Sequence, residues 1–146
     1  ATWNDVPWKF EAGTPNIADV VAFGTAIEYL EQISFADIQE HDQKLYTYAR
    51  TKLREFSKLK LLGAEDALRA GGNVSFVIEG VHPHDIGSIL NDSGVAVRTG
   101  HHCAQPLMQR LQVQATVRMS FTVYNDEEDV DAAIEALKNV YSIFKI

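Results

Sequence analysis

The 146-residue sequence has little cysteine, few basic side chains and no long hydrophobic run. Its single cysteine, Cys103, excludes an internal disulfide framework and a zinc site made of several cysteines. With 13 basic against 20 acidic side chains, nucleic-acid binding is disfavoured, because a phosphate backbone requires clustered Lys and Arg. No apolar run approaches the roughly 20 residues of a membrane-spanning helix. The lone cysteine and the lack of a leader at the start of the sequence predict a cytoplasmic protein.

The pattern of apolar residues predicts an α+β fold. With 46% hydrophobic residues, the sequence is too apolar for a disordered chain. Thr14-Pro15 is a helix start, because Thr14 can cap and Pro15 is pre-set for the first turn. Further helices are predicted over 38–56, over 83–93 and from Asn125 or Asp126 to Phe144, with Glu128 in a capping box and a helical turn near 107–108. Strands are predicted over 59–62, 74–79, 95–97 and 116–121. The order predicts a small, mostly antiparallel sheet packed with helices.

A polar loop over 98–106 carries Cys103. The simpler interpretation is a polar surface loop whose cysteine is inert, since most single cysteines are buried and structural. Cys103, however, lies among Arg98, His101 and His102 rather than in an apolar stripe. Because nearby cations favour a thiolate, which is the nucleophilic form, the loop is also a candidate site of nucleophilic catalysis.

Arg118 interrupts an alternating strand. Val117, Met119 and Phe121 form its predicted core face, so Arg118 projects from the opposite face with Thr116 and Ser120 as its neighbours there. It is either an ordinary solvated arginine or a guanidinium held on a rigid strand as a carboxylate clamp.

Gly13 and Thr14 immediately precede the first predicted helix. Free backbone N–H groups and the helix dipole favour an anion at such a position. An ordinary capped helix is the simpler alternative.

The remaining histidines allow a metal site to be considered. His82, His84 and His101, together with His102 and Cys103, could supply zinc ligands from two loops. His82 and His84 flank a proline at a helix start, and adjacent histidines on an extended loop point apart. We therefore expect no metal site, and no role follows for His82, His84 and His101.

Three segments together resemble a known family. FEAGTPN over 10–16, RTGHHCAQPL over 98–107 and ATVRMS over 115–120 are similar to the C-terminal portion of the SufS-type cysteine desulfurases and selenocysteine lyases. These are pyridoxal-phosphate (PLP) enzymes of the class V aminotransferase fold. The resemblance implies that 17–146 is the C-terminal small domain of a fold-type I transferase. It assigns the irregular arm over 1–16 to the large-domain and dimer-interface region.

The resemblance also assigns roles to individual residues. Cys103 matches the nucleophile that takes sulfur from cysteine as a persulfide, and Arg118 matches the clamp for the substrate carboxylate. Arg98 and His102 match positions that flank the nucleophile on the substrate side. Gly13 and Thr14 match the segment that reaches the PLP phosphate of the other subunit of a homodimer.

One departure from the family is large. The lysine that binds PLP in this family has no match in the sequence, since Lys9, Lys44 and Lys52 lie in the arm or on polar helix faces. We therefore expect a fragment that is inactive alone, whose parent converts L-cysteine to L-alanine. The parent would pass sulfur to an acceptor protein for iron–sulfur cluster assembly, or release selenide from selenocysteine. The alternative is a stand-alone docking module that accepts persulfide sulfur on Cys103 without PLP.

Overall fold

A computed structural model describes residues 2–146. These residues form two compact units, one that runs to Asp37 and one that is Ile38–Ile146. The division into an arm over 1–16 and a small domain over 17–146 stays a prediction. In the described chain, no helix is long and apolar enough to cross a membrane.

The first unit contains a 3-10 turn, Trp8–Phe10, and helix α1, Ile17–Ile33. The prediction that Thr14 caps this helix is wrong. Asn16 is the N-cap, because its side chain accepts a hydrogen bond from the backbone N–H of Asp19. None of the residues of α1 is buried, so this helix exposes large apolar side chains. They include Ile17, Val20, Val21, Phe23 and Tyr29.

The second unit is a four-stranded sheet with helices. Its strands are β1 Leu59–Leu62, β2 Asn73–Ile78, β3 Arg98–Gly100 and β4 Thr116–Ser120. Its helices are α2 Phe35–Leu53, which begins in the first unit, α3 Pro83–Asp92, α4 Gln105–Leu111 and α5 Glu127–Phe144. The strand order is β1-β2-β4-β3, and every neighbouring pair is antiparallel. The predicted α+β class is therefore confirmed.

One face of the sheet forms the hydrophobic core. Val74, Phe76 and Ile78 alternate along β2, and Val117 and Met119 alternate along β4, all of them buried. They join buried side chains of α2, α3 and α5 in one cluster. Strand periodicity thus assigns the opposite face of β2 and β4 to Ser75, Thr116 and Arg118.

Strand β3 lies three residues after its predicted position at 95–97. The backbone N–H of Val95 donates to the carbonyl of Leu90, so Val95 closes the end of α3 instead of pairing in the sheet. Pairing with β4 begins at Arg98. A close approach fixes this position, because a Cβ built on Gly87 of α3 would lie 2.7 Å from Cγ2 of Thr99.

Smaller differences concern the ends of elements. Helix α2 ends at Leu53 rather than at 56, and α4 is a helix of seven residues rather than a single turn. Asp126 caps α5, but its capping-box partner is Asp129 and not Glu128, since Asp129 is the residue whose carboxylate accepts from the N-cap N–H.

Candidate active site

The loop after β3 has an unusual backbone. Gly100 has φ +116°, and two non-glycine residues shortly after it, His102 and Cys103, have φ of 56° and 57°. Left-handed conformations at such residues cost about 1–3 kcal/mol each and persist only when their surroundings hold them. One contact that holds the loop is a turn hydrogen bond, in which the N–H of Ala104 donates to the carbonyl of His101 at 2.9 Å. The loop is thus folded back toward the strand from which it leaves.

Cys103 is exposed and has a cationic partner. Its Sγ accepts a hydrogen bond from Nη2 of Arg98 at 3.3 Å. The exposure disagrees with a buried cysteine, whereas the reactivity of this thiol stays a prediction.

Arg118 lies in the middle of β4, between two neighbouring strands. In the register of the sheet it is opposite Ser75 on β2 and opposite Arg98 on β3. Its Nε is buried and has no hydrogen-bond partner. Within the described part of the chain, neither arginine has a carboxylate ion-pair partner. Like charges directly opposite each other destabilise a sheet, so an anion bound here would offset this repulsion.

His102 is fixed to the sheet by a buried threonine. Its Nε2 lies 2.7 Å from Oγ1 of Thr116, a residue with no exposed surface. Burial, and then the charge of Arg118, lower the pKa of the imidazole below its ordinary value. Its Nδ1 is buried without a partner. The ring is therefore neutral at neutral pH and anchors the loop without adding a positive charge.

A cavity of about 400 Å³ adjoins Arg118. Its polar wall includes Arg69, Asn73, Ser75, His102, Thr116 and Arg118, and residues of α4 supply apolar side chains. Cys103 and Arg98 do not line it. Among the described residues that line it there is no lysine and no carboxylate. The cavity therefore offers cations and hydrogen-bond donors to a small anionic molecule.

The structure brings together four of the six predicted site residues. Cys103 contacts Arg98, Arg98 neighbours Arg118, and Arg118 shares the cavity with His102. Gly13 and Thr14 lie in the first unit, exposed and ahead of the Asn16 cap. Sequence reasoning missed the cavity residues of β2 and of the preceding loop. It placed Thr116 on the face of Arg118 but missed its bond to His102.

His82, His84 and His101 line a second cavity of about 620 Å³. His82 caps α3 by accepting from the N–H of His84. In residues 2–146, no group of three or more His, Cys, Asp and Glu side chains is placed to hold a metal ion.

Comparison with known proteins indicates one family. The family model for aminotransferase class-V matches residues 1–133. The chain is 45% identical over 144 residues to a probable cysteine desulfurase from Halalkalibacterium halodurans, covering 99% of this chain and 35% of that protein. It is 46% identical over 144 residues to a cysteine desulfurase from Haloferax volcanii, covering 99% of this chain and 34% of that protein.

A solved structure agrees with these relatives. The apo structure of a cysteine desulfurase from Thermococcus onnurineus superposes with a TM-score of 0.87 at 37% identity, over 94% of this chain and 34% of that one. The chain thus spans about a third of the length of the proteins it matches.

Proposed function

The chain belongs to the aminotransferase class-V family, and from that premise we propose that it is the C-terminal part of a PLP-dependent cysteine desulfurase. The single observation that carries the proposal is the exposed sulfur of Cys103, which accepts a hydrogen bond from Arg98 next to the strand that carries Arg118. This arrangement supplies a nucleophile beside a site for an anionic substrate group.

In the proposed reaction, the thiolate of Cys103 attacks the sulfur of bound L-cysteine. A sulfur–sulfur bond forms and the substrate's carbon–sulfur bond breaks, leaving its electron pair on carbon. The proton of the substrate thiol ends on that carbon. The products are L-alanine and a persulfide on Cys103, so atoms and charge balance.

Arg118 is the proposed clamp for the substrate carboxylate. Its guanidinium is held on a central strand, lines the cavity and has no carboxylate partner in the described chain. A planar guanidinium binds a carboxylate through two parallel hydrogen bonds, which fixes the orientation of the substrate. His102, neutral and bonded to Thr116, would position the loop at the edge of the same cavity.

The described residues fit the substrate but not the coenzyme. The cavity has cations for an anionic substrate, yet its lining contains no lysine to tether PLP and no carboxylate for its pyridine nitrogen. When bound, PLP supplies the electron sink for such a reaction. We therefore assign its binding to the rest of a full-length protein, with Gly13 and Thr14 of one subunit of a homodimer contacting its phosphate in the other subunit.

Several finer assignments belong to the same proposal. The full-length protein would act in the cytoplasm, where thiols stay reduced. It would pass the persulfide sulfur to an acceptor protein for iron–sulfur cluster assembly, or release selenide from selenocysteine. The two substrates differ by one atom, so assays with both are needed to rank them.

The nucleophile is tested by Cys103→Ala in the full-length protein. We expect loss of alanine formation and of the persulfide detected by mass spectrometry on the peptide that carries residue 103. Arg110→Gln is the matched control, because Arg110 is exposed on α4 and lines neither cavity described above. Wild-type turnover in Cys103→Ala would remove the assignment.

The clamp is tested by Arg118→Ala. We expect a higher Michaelis constant for cysteine, because the substrate carboxylate loses its partner, with a cost of about 2–5 kcal/mol when such a pair is buried. An unchanged Michaelis constant would contradict the clamp.

The assignment of coenzyme binding to the rest of the protein is tested on the 146-residue chain. We expect no visible absorbance band that borohydride removes after PLP is added, and no sulfide release from cysteine. Appearance of both would show that the chain binds the coenzyme and turns over by itself.

A further inference from the structure

The arginines Arg98 and Arg118 form a cross-strand pair, but they face different partners. Their Cα atoms are opposite each other in the register of β3 and β4. Cβ atoms of such pairs lie about 4.5–5.5 Å apart. No carboxylate of the described chain neutralises either one. Two uncompensated guanidinium groups side by side therefore favour anionic partners from elsewhere.

The contacts of the two side chains separate their roles. Arg118 lines the 400 Å³ cavity, whereas Arg98 does not. Arg98 instead directs Nη2 at the sulfur of Cys103, at 3.3 Å. The resemblance had placed both arginines on the substrate side, but in this arrangement only Arg118 faces the space that a substrate could fill.

The backbone supports this separation. Positive φ angles at Gly100, His102 and Cys103 fold the chain back on itself within five residues. This fold returns the sulfur to the first residue of the strand from which the loop leaves. The loop thus adopts energetically unfavourable backbone conformations that bring Cys103 into contact with Arg98.

Charge also favours Arg98 as the partner of the sulfur. An arginine stays protonated at any physiological pH and donates strong hydrogen bonds to anions. The adjacent His102 has a lowered pKa and its Nε2 is engaged by Thr116, so it supplies no fixed positive charge.

We propose that Arg98 positions the sulfur of Cys103 beside the carboxylate site of Arg118, donates to it during the reaction, and does not bind substrate. The inference rests on the proposed function for the identity of the reaction. It adds that the two arginines divide the charges of that reaction. Arg98 serves the nucleophile and then the persulfide anion, while Arg118 serves the substrate carboxylate.

The test compares a neutral and an anionic alkylating reagent on the full-length protein. Iodoacetamide and iodoacetate react with the same thiolate, and only the second is attracted by a neighbouring cation. Alkylation of Cys103 is followed by peptide mass spectrometry at neutral pH in wild type, Arg98→Gln, Arg98→Lys and the control Arg110→Gln.

We expect Arg98→Gln to slow alkylation by iodoacetamide about three- to tenfold, because the anion loses a charged donor. The ratio of the iodoacetate rate to the iodoacetamide rate falls as well, by about twofold or more, because a positive charge is removed. Arg98→Lys keeps the charge and so retains most of that ratio. Arg110→Gln behaves as wild type. A general disturbance of the loop would change both reagents equally and leave the ratio unaltered.

Steady-state kinetics give a second readout. We expect Arg98→Gln to lower kcat with a Michaelis constant for cysteine near that of wild type, and Arg118→Gln to raise the Michaelis constant. Wild-type alkylation by both reagents in Arg98→Gln would overturn the inference. So would a raised Michaelis constant with kcat intact. Since alkylation needs no turnover, this result is separate from the Cys103→Ala test of the proposed function.

Discussion

Replacing Thr116 by Val should release the loop that carries Cys103. Valine keeps the shape of threonine, and residue 116 is fully buried, so the substitution removes the hydroxyl without opening a cavity. The lost contact is the 2.7 Å hydrogen bond between Oγ1 and Nε2 of His102. Nδ1 of the same ring already lacks a partner. The imidazole would therefore be left with both nitrogens unpaired in a half-buried position.

The magnitude follows from that contact. A typical hydrogen bond contributes about 0.5–1.5 kcal/mol, and leaving a buried polar group unpaired costs about 1–3 kcal/mol. Because His102 is half-buried rather than fully buried, we expect Thr116→Val to lower the free energy of unfolding by about 1–2 kcal/mol. Urea denaturation of the 146-residue chain measures it. Thr122→Val is the matched control, since the Thr122 hydroxyl makes no hydrogen bond within residues 2–146.

A double-mutant cycle with His102→Asn isolates the pair. The sum of the losses in unfolding free energy of the two single variants should exceed the loss of the double variant by about 1 kcal/mol. Trypsin should also cleave near the loop faster in Thr116→Val than in wild type. Additive losses, together with wild-type cleavage, would refute the view that Thr116 anchors the loop through His102.

Three further outcomes are expected. Because the pKa of His102 is lowered in the folded protein, its contribution to stability is fully present above about pH 6.5 and is lost as pH falls toward the folded-state value. His102→Asn should thus shrink the drop in urea midpoint between about pH 7.5 and pH 5.5, and an unchanged drop would contradict this. Gly87→Ala should lower the free energy of unfolding by about 1–3 kcal/mol in urea denaturation, because the new methyl group meets Thr99. The neighbouring substitution Ser88→Ala should change it little. Equal stabilities of the two variants would show that β3 can shift. Asp126→Ala should lower the free energy of unfolding by about 0.5–2 kcal/mol, because two backbone N–H groups of α5 lose their acceptor. Asp126→Asn keeps a capping oxygen and should lose less; an equal loss would show that capping is not the cause.

Alternation along single strands predicted most of the sheet. In β2 and β4 alternate positions carry buried apolar side chains, and Thr116 is the one buried polar residue of the two strands. The same parity placed Arg118 and Thr116 on one face before their neighbours were known. A strand buried on one side carries this signal within its own sequence, so no partner is needed to find it.

Strand β3 shows where such reasoning stops. Val95, Ala96 and Val97 have higher strand propensity than Arg98, Thr99 and Gly100. Register with β4 and the close approach of α3 nevertheless select the later triplet. Both are long-range effects, and a local pattern does not report them.

The site shows a similar limit. The motif brought Cys103, Arg98 and His102 to attention, because they are close in sequence. That Arg98 lies opposite Arg118 depends on the pairing of β3 with β4, and this strand was predicted at 95–97 instead of 98–100. The cap at Asn16 was missed for a local reason. Threonine and asparagine are both good caps, and only the backbone decides which oxygen reaches an N–H group.

The position of β3 has a consequence for how the molecule opens. It is a three-residue strand at one border of the sheet, paired on a single side. Peeling it from β4 breaks few hydrogen bonds and leaves the other three strands joined. Amide protons of 98–100 should therefore exchange with deuterium long before those of β2, which is paired on both sides. Cys103 is thus attached to the strand that we expect to separate from the sheet first.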